Sequence, residues 1–265
     1  MVRTLIQAGY GVHGWNRSSL APELIARIPL ATDLASAAAA DVLILMLADS
    51  NATDAVLGQL DAHLRPDHLI IDMGSSDPTR SRAHAERLAV RGIHWVDAPV
   101  SGGPEGAAAG TLAIMAGGTP AAYDRAEPIL HALGRPVRVG DAGAGHTAKV
   151  INQLIVGLTI EAVAEAIALA EQSGVDPAMV QQALAGGFAD SKILQIHGTR
   201  MINRSYTPGG RASTQLKDLR LAQSLAAAAG LRLPHLENTI ARYEQLIARG
   251  HGNLDHSALH LLLDA

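Results

Sequence analysis

The sequence predicts two domains, a doubly wound α/β domain followed by an all-helical one, and three observations carry that prediction. Short apolar runs alternate with helical stretches as far as Val139. Polar or glycine-rich loops follow several of those runs, as in Met73-Gly-Ser75-Ser76-Asp77-Pro78 and Ala98-Pro-Val-Ser101-Gly102-Gly103-Pro104. From Gly145 onward the periodicity is helical and offers no convincing strand. Strand–helix alternation argues a parallel sheet covered by helices, whose ligands gather at the carboxyl ends of the strands. The boundary falls at the Gly143–Gly145 loop, giving domains 1–143 and 144–265.

Taken in order, Met1–Gly9 reads as an amphipathic helix closed by Gly9 as its C-terminal cap. Val12–Trp15 makes a short strand, stopped by Asn16-Arg17-Ser18-Ser19. Asp41–Leu47 is a continuous apolar run, the pattern of a strand buried on both faces of a parallel sheet. His68–Asp72, His94–Asp97, Leu112–Met115 and Val137–Val139 complete the strands. Helices are expected over Thr147–Ser173, Pro177–Gly186, Ser191–Arg200, Thr214–Ala229, Pro234–Arg249 and His256–Leu263.

Composition excludes several function classes. The 265 residues are 48% hydrophobic and 17% charged, the balance of an ordinary globular protein. Aromatic residues make up only 3%, so the cores must be built from Ala, Leu, Ile and Val. A net charge of −4 argues against a nucleic-acid partner held by bulk charge. The absence of cysteine removes disulfides, thiol catalysis and thiolate metal sites. The longest unbroken apolar run, Val42–Ala48, is far short of the ~20 residues that span a bilayer, and the N-terminus has no basic-then-apolar signal pattern. A cytoplasmic protein without a membrane partner is expected.

The chemistry centres on Gly143-Ala-Gly145-His-Thr-Ala-Lys149-Val-Ile-Asn152-Gln153. On a helix Lys149, Asn152 and Gln153 stand at i, i+3 and i+4 and share one side. Lys149 is either a lysine snorkelling from a domain seam or one that donates a proton to a substrate oxygen while the amides hold that substrate. Asn16-Arg17-Ser18, at a strand tip without an acid, is either a plain turn or the arginine region that receives a 2′-phosphate. Ser101, Gly102 and Gly103 could form a carboxylate-binding nest, since adjacent glycines let a ligand approach the backbone. Lys217 reads as a second helical lysine, paired with Asp218 if it is only a surface residue. His251, His256 and His260 lack a carboxylate cluster at ligand spacing, so they read as solvated or capping residues and no metal is expected.

Asp97-Ala-Pro-Val-Ser-Gly-Gly, Gly110-Thr-Leu, Gly143-x-Gly-x-x-x-Lys149-x-x-Asn152 and Leu216-Lys-Asp-Leu together resemble the β-hydroxyacid dehydrogenase family, in the same order and over essentially the whole chain. The resemblance implies a Rossmann-type first domain, an all-helical second domain and a homodimer or homotetramer. It makes Ser101, Gly102 and Gly103 the carboxylate site, Lys149 the acid/base and Lys217 a neighbour of the nicotinamide. Ser75 falls beside the nicotinamide ribose, and Leu47 and Ala48 along the adenosine half. Asn152-Gln153, where many members carry two asparagines, resembles the 2-hydroxy-3-oxopropionate reductase branch, as does Gly252-Asn-Leu-Asp-His256-Ser-Ala-Leu. The implied reaction is reversible reduction of a small 3-oxo acid, with NADP(H) preferred over NAD(H). The alternatives are 3-hydroxyisobutyrate dehydrogenase and a non-catalytic binding or oligomerisation module. Family members open with a strand and a Gly-x-Gly turn ahead of the helix that starts here at Met1. A chain lacking both is expected to bind NADP(H) weakly and to show little reductase activity.

Overall fold

A computed structural model describes residues 1–20 and 28–264. The chain divides into two compact units, Met1–Lys149 and Val150–Ala265, so the division lies within a helix rather than at the glycine loop.

In the first unit α1 (Val2–Gln7) and α2 (Leu34–Ala37) precede β1 (Val42–Leu45). Then come α3 (Ser50–Leu60), β2 (Leu69–Asp72), α4 (Pro78–Ala89) and β3 (His94–Asp97). β4 (Val100–Ser101), α5 (Gly103–Ala109), β5 (Leu112–Gly117), α6 (Pro120–Leu133) and β6 (Gly134–Gly140) complete the unit. β1, β2 and β3 run parallel, with Leu45, Asp72 and Asp97 in register at their carboxyl ends. Parallel neighbours need a crossover, which α3 and α4 supply. The Rossmann-type architecture is therefore present, with one modification. Only Ala98 and Pro99 separate β3 from β4, and β4 and β3 both pair antiparallel with β5. β6 pairs parallel with β5, with α6 between them as crossover.

Alternate strand residues feed two cores. Leu69, Ile71, Val96 and Ile114 pack with Leu5 and with Ala126 and Leu130 of α6. Leu43, Leu45, Ile70 and Trp95 pack with Val56, Leu57 and Leu60 of α3 and Leu88 of α4. Full burial of one such leucine contributes about 1.5–3 kcal/mol.

Val12–Trp15 does not form the strand expected of it. Among the described residues Gly14 alone makes a parallel bridge, to Leu30, its N–H donating to the Pro29 carbonyl at 2.7 Å. A strand is stabilised by a continuous ladder, and Gly11 and Gly14 weaken so short a run.

The second unit is helical, as expected. Its elements are the greater part of α7 (Ala144–Gln172), α8 (Pro177–Leu184), α9 (Thr199–Ile202), α10 (Ala212–Ala228) and α11 (Pro234–Ala248). Two stretches expected to be α-helical differ. Leu194–Gly198 winds as a π-helix, and His256–Leu262 is a 3₁₀-helix started by the Asp255 side chain. Ile160, Val163 and Ile167 of α7 meet Leu216 and Leu219 of α10 and Ile240, Tyr243 and Leu246 of α11 in one core. α7 has no charged residue between Lys149 and Glu161, and by length and composition alone it could cross a membrane. Ile160, Ala164 and Ile167 are nevertheless almost completely buried within the second unit, as in the core helix of a globular domain.

Candidate active site

The carboxyl ends of β1–β3 position the first group of residues. Asp49 caps α3 by accepting from Ala52 N at 2.9 Å, and Asp77 caps α4 by accepting from Thr79 N at 2.7 Å. The two loops are also tied together, since Asp77 N donates to Ser50 Oγ at 2.8 Å. A side chain at position 74 would put its Cβ 2.7 Å from the Leu47 carbonyl oxygen, so only glycine allows this approach. Leu47, Ala48 and Ser75, expected along the cofactor, therefore lie on two adjoining loops.

Below these loops Asp72 accepts from Gly74 N at 3.1 Å and from Ser76 Oγ at 3.2 Å. Asp97, its register neighbour, accepts from Gly143 N at 2.7 Å and His146 N at 2.8 Å, which starts α7 at Ala144. Gly145, expected in a loop, thus belongs to the first helical turn. A Cβ there would stand 2.4 Å from the carbonyl oxygens of Asp97 and Met115. The fully buried His146 ring lies 3.7 Å from Asp72 through Nε2 and 3.7 Å from Asp97 through Nδ1. Burial raises the Asp72 carboxyl to about 6, against the pull of Gly74 N and Ser76. Burial raises Asp97 further, to about 7, against the amides of His146 and Gly143 and reinforced by the charge of Asp72. Half-buried Lys149 follows one turn after His146 on the same helix.

Ser101 pairs with Ala113 at the end of β4 and is half-buried, whereas Gly102 and Gly103 are exposed. Gly103 has φ +66°, a conformation that suits glycine and lets the chain turn directly into α5. The Asn16-Arg17-Ser18 turn closes on itself, Asn16 Nδ2 donating to the Ser18 carbonyl at 2.8 Å. Arg17 is exposed and makes no ion pair among the described residues.

In the second unit Asn152 Nδ2 donates to Gln153 Oε1 at 2.8 Å. Gln153 Nε2 in turn donates to Asp218 Oδ2 at 2.8 Å and to Gln215 Oε1 at 3.3 Å. Lys217 Nζ lies 3.3 Å from Asp218 Oδ1, beside a groove of about 500 Å³ that Arg220 and Ser213 also line. The two amides and Lys217 are thus joined through the buried Asp218 carboxylate.

The histidines differ from expectation. His260 is neither solvated nor a cap. It is buried, with Nδ1 at 3.1 Å from the Tyr206 hydroxyl. His256 joins His197 and Asp255 in a cluster whose candidate ligand atoms lie within 4.8 Å of one another. Asp255 already accepts from Arg200, from Gly209 N at 2.9 Å and from Ser257 Oγ, which leaves its oxygens little capacity for a cation. Sequence reasoning did not single out Asp72 or His146. The available signal was an aspartate closing each of two adjacent buried strands.

Two family models match the chain. The NAD binding domain of 6-phosphogluconate dehydrogenase covers residues 1–151, and the NAD-binding domain of NADP-dependent 3-hydroxyisobutyrate dehydrogenase covers residues 143–263. Among curated relatives, 2-hydroxy-3-oxopropionate reductase of Escherichia coli is 40% identical, the match covering 98% of this chain and 91% of the relative. Among solved structures, 3-hydroxyisobutyrate dehydrogenase of Salmonella typhimurium has a TM-score of 0.89 at 26% identity, covering 98% of this chain and 94% of the other. The Mycobacterium tuberculosis 3-hydroxyisobutyrate dehydrogenase with L-serine has a TM-score of 0.85 at 30% identity, covering 99% and 94%.

Proposed function

The chain belongs to the β-hydroxyacid dehydrogenase family, and within that family we propose that it reduces a small 3-oxo acid of the 2-hydroxy-3-oxopropionate type, reversibly and with NADP(H). As a member it is an NAD(P)-dependent oxidoreductase acting on a CH–OH group.

The nicotinamide supplies the hydride when bound. In this reading the protein's own part is to place the substrate and move one proton. Ser101 Oγ and the amides of Gly102 and Gly103 hold the carboxylate. Lys149 Nζ donates a proton to the carbonyl oxygen in reduction and takes it back in oxidation, a contribution of roughly 10²–10⁴-fold for a positioned acid or base. Asn152 holds the substrate, and Gln153 acts beside it through Asp218. Arg17 receives the 2′-phosphate, Asn16 and Ser18 shape its turn, and Leu47, Ala48 and Ser75 line the cofactor. Lys217 lies along the nicotinamide, and the protein assembles as a homodimer or homotetramer.

The relative named 2-hydroxy-3-oxopropionate reductase carries the substrate assignment. The test is kcat/KM, in an active full-length form, for 2-hydroxy-3-oxopropionate with NADPH and NADH, against oxidation of 3-hydroxyisobutyrate. The C3 semialdehyde with NADPH is expected to be preferred, and Arg17→Ala to weaken NADPH at least tenfold more than NADH. Preference for 3-hydroxyisobutyrate would transfer the assignment to the second reading, which the two solved structures favour. Equal use of both cofactors would remove Arg17 from the phosphate site.

A further inference from the structure

Asp72, His146 and Asp97 form a cluster with no role in the chemistry so far described. All three are fully buried in the first unit, where ionisable side chains are rarely found unless something holds them. Each carboxylate organises a different segment. Asp72 accepts from Gly74 N and Ser76 Oγ and so fixes the loop carrying Ser75. Asp97 accepts from Gly143 N and His146 N and so fixes the first turn of α7, one turn before Lys149. Register alone sets the two carboxylates side by side at the ends of β2 and β3. The imidazole stands 3.7 Å from both, with one nitrogen toward each.

We propose that His146 is a positioning residue, bridging the Asp72 and Asp97 carboxylates so that the turn carrying Lys149 keeps a fixed height and rotation relative to the Ser75 loop. The arrangement is physically economical. Two buried carboxylates at adjacent register positions repel each other, and the ring between them offers each a polar partner. The backbone around it has little slack, since a Cβ at Gly145 would collide with the Asp97 and Met115 carbonyls and one at Gly117 would lie 2.6 Å from Gly145 N. A displacement of the ring therefore moves the helix start itself. An error of about 1 Å in a reacting group can cost on the order of 10²-fold in rate. The proposal rests on the reading of Lys149 as acid/base.

The test, made in an active full-length form of the protein, compares the parent with His146→Phe, which keeps ring bulk without nitrogens, and His146→Gln, which keeps a donor and an acceptor. His146→Phe is expected to lower kcat at least tenfold with KM and NADPH affinity within about threefold, and His146→Gln to recover most of the loss. Hydrogen exchange supplies a readout independent of turnover. Amides of residues 73–77 and 143–149 should both exchange faster in His146→Phe, and the rest of the first unit should not. Unchanged kcat in His146→Phe, faster exchange in only one of the two segments, or a Gln variant no better than Phe would each overturn the bridge. If His146→Phe fails to fold, His146→Gln decides by the same exchange pattern, close to the parent in both segments if the bridge is right. Lys149→Met measured alongside separates the two ideas. Full activity in that variant refutes the acid/base reading, whereas loss there beside a fully active His146→Phe refutes the bridge alone.

Discussion

Asp72 and Asp97 in the first unit and Asp255 in the second are equally hidden from solvent, yet their carboxyls are pushed in opposite directions. Burial acts on all three in the same sense, against the charged form. The difference lies in the donors supplied. Burial pushes Asp255 up as well, but hydrogen bonds from His197 and Ser257 and the charge of His256 outweigh it and hold the carboxyl far below its ordinary range. Arg200 and Gly209 N add further contacts to the same carboxylate. The hydrogen bonds that Asp72 accepts from Gly74 N and Ser76, and those that Asp97 accepts from two amides besides its own backbone, do not outweigh burial, which raises the two carboxyls to about 6 and about 7. A permanently charged aspartate serves as a structural hub, here joining Arg200, the Gly209 turn and the start of the C-terminal 3₁₀-helix. Carboxyls shifted toward neutrality by burial are concentrated at functional sites, though structural networks shift them too.

If that contrast locates the chemistry, the largest effect falls on the first unit. In an active full-length form, Lys149→Met is expected to lower kcat by roughly 10²–10⁴-fold while cofactor affinity changes little. Steady-state kinetics beside a binding titration measures both. A variant within a few-fold of its parent would break the comparison, because the titrating cluster would then sit beside no catalytic group.

Asp255→Ala should leave the first unit intact and destabilise the second. Removing one partner of a buried ion pair costs about 3–5 kcal/mol, a large part of a total near 5–15 kcal/mol. Urea unfolding followed by helical circular dichroism should show the loss. A change below about 1 kcal/mol would mean that Arg200 and the Gly209 turn find other partners, and Asp255 would lose its place as a hub.

The sequence revealed the two sides unequally. The parallel strands β1–β3 were legible from their apolar runs, β2 and β3 each closed by an aspartate, and Lys149 stood out because it lies on an apolar helix face. The antiparallel return of β4 was not legible. Two residues have no periodicity, and only the tight Ala98-Pro99 connection forces the reversal. His146 lay inside a quoted motif without meaning, since its partners come from β2 and β3 far back in the chain. His197 and Asp255 were equally silent, being brought together only by the packing of the helices. Val12–Trp15 shows the converse. Its local pattern suits a strand, but strands are completed by neighbours, and among the described residues only Gly14 finds one.

The smallest expected effect is the most direct probe of the comparison, because it compares the two aspartate types by the sign of their pH dependence. Asp97 rises on folding from an ordinary value of 3.8 to about 7, so between those values the folded state binds the proton more tightly than the unfolded one. Its contribution is therefore fully present below about pH 4 and is lost as pH rises through 7. Asp72 acts in the same sense over a window that closes near 6. Asp255, lowered on folding, acts in the opposite sense. Its contribution is present above its unfolded value and is lost only in strong acid. Asparagine at position 97 resembles the protonated carboxyl and cannot ionise. Thermal midpoints of the parent and of Asp97→Asn, measured from pH 5 to pH 8, should diverge as pH rises, with the parent falling by the equivalent of about 1–3 kcal/mol relative to the variant. The same pair of measurements on Asp255→Asn should show a constant gap over that range, because Asp255 remains ionised throughout it. Parallel curves for the parent and Asp97→Asn would mean that the strand-end carboxyl is as firmly charged as Asp255, and that the two kinds of buried aspartate do not differ.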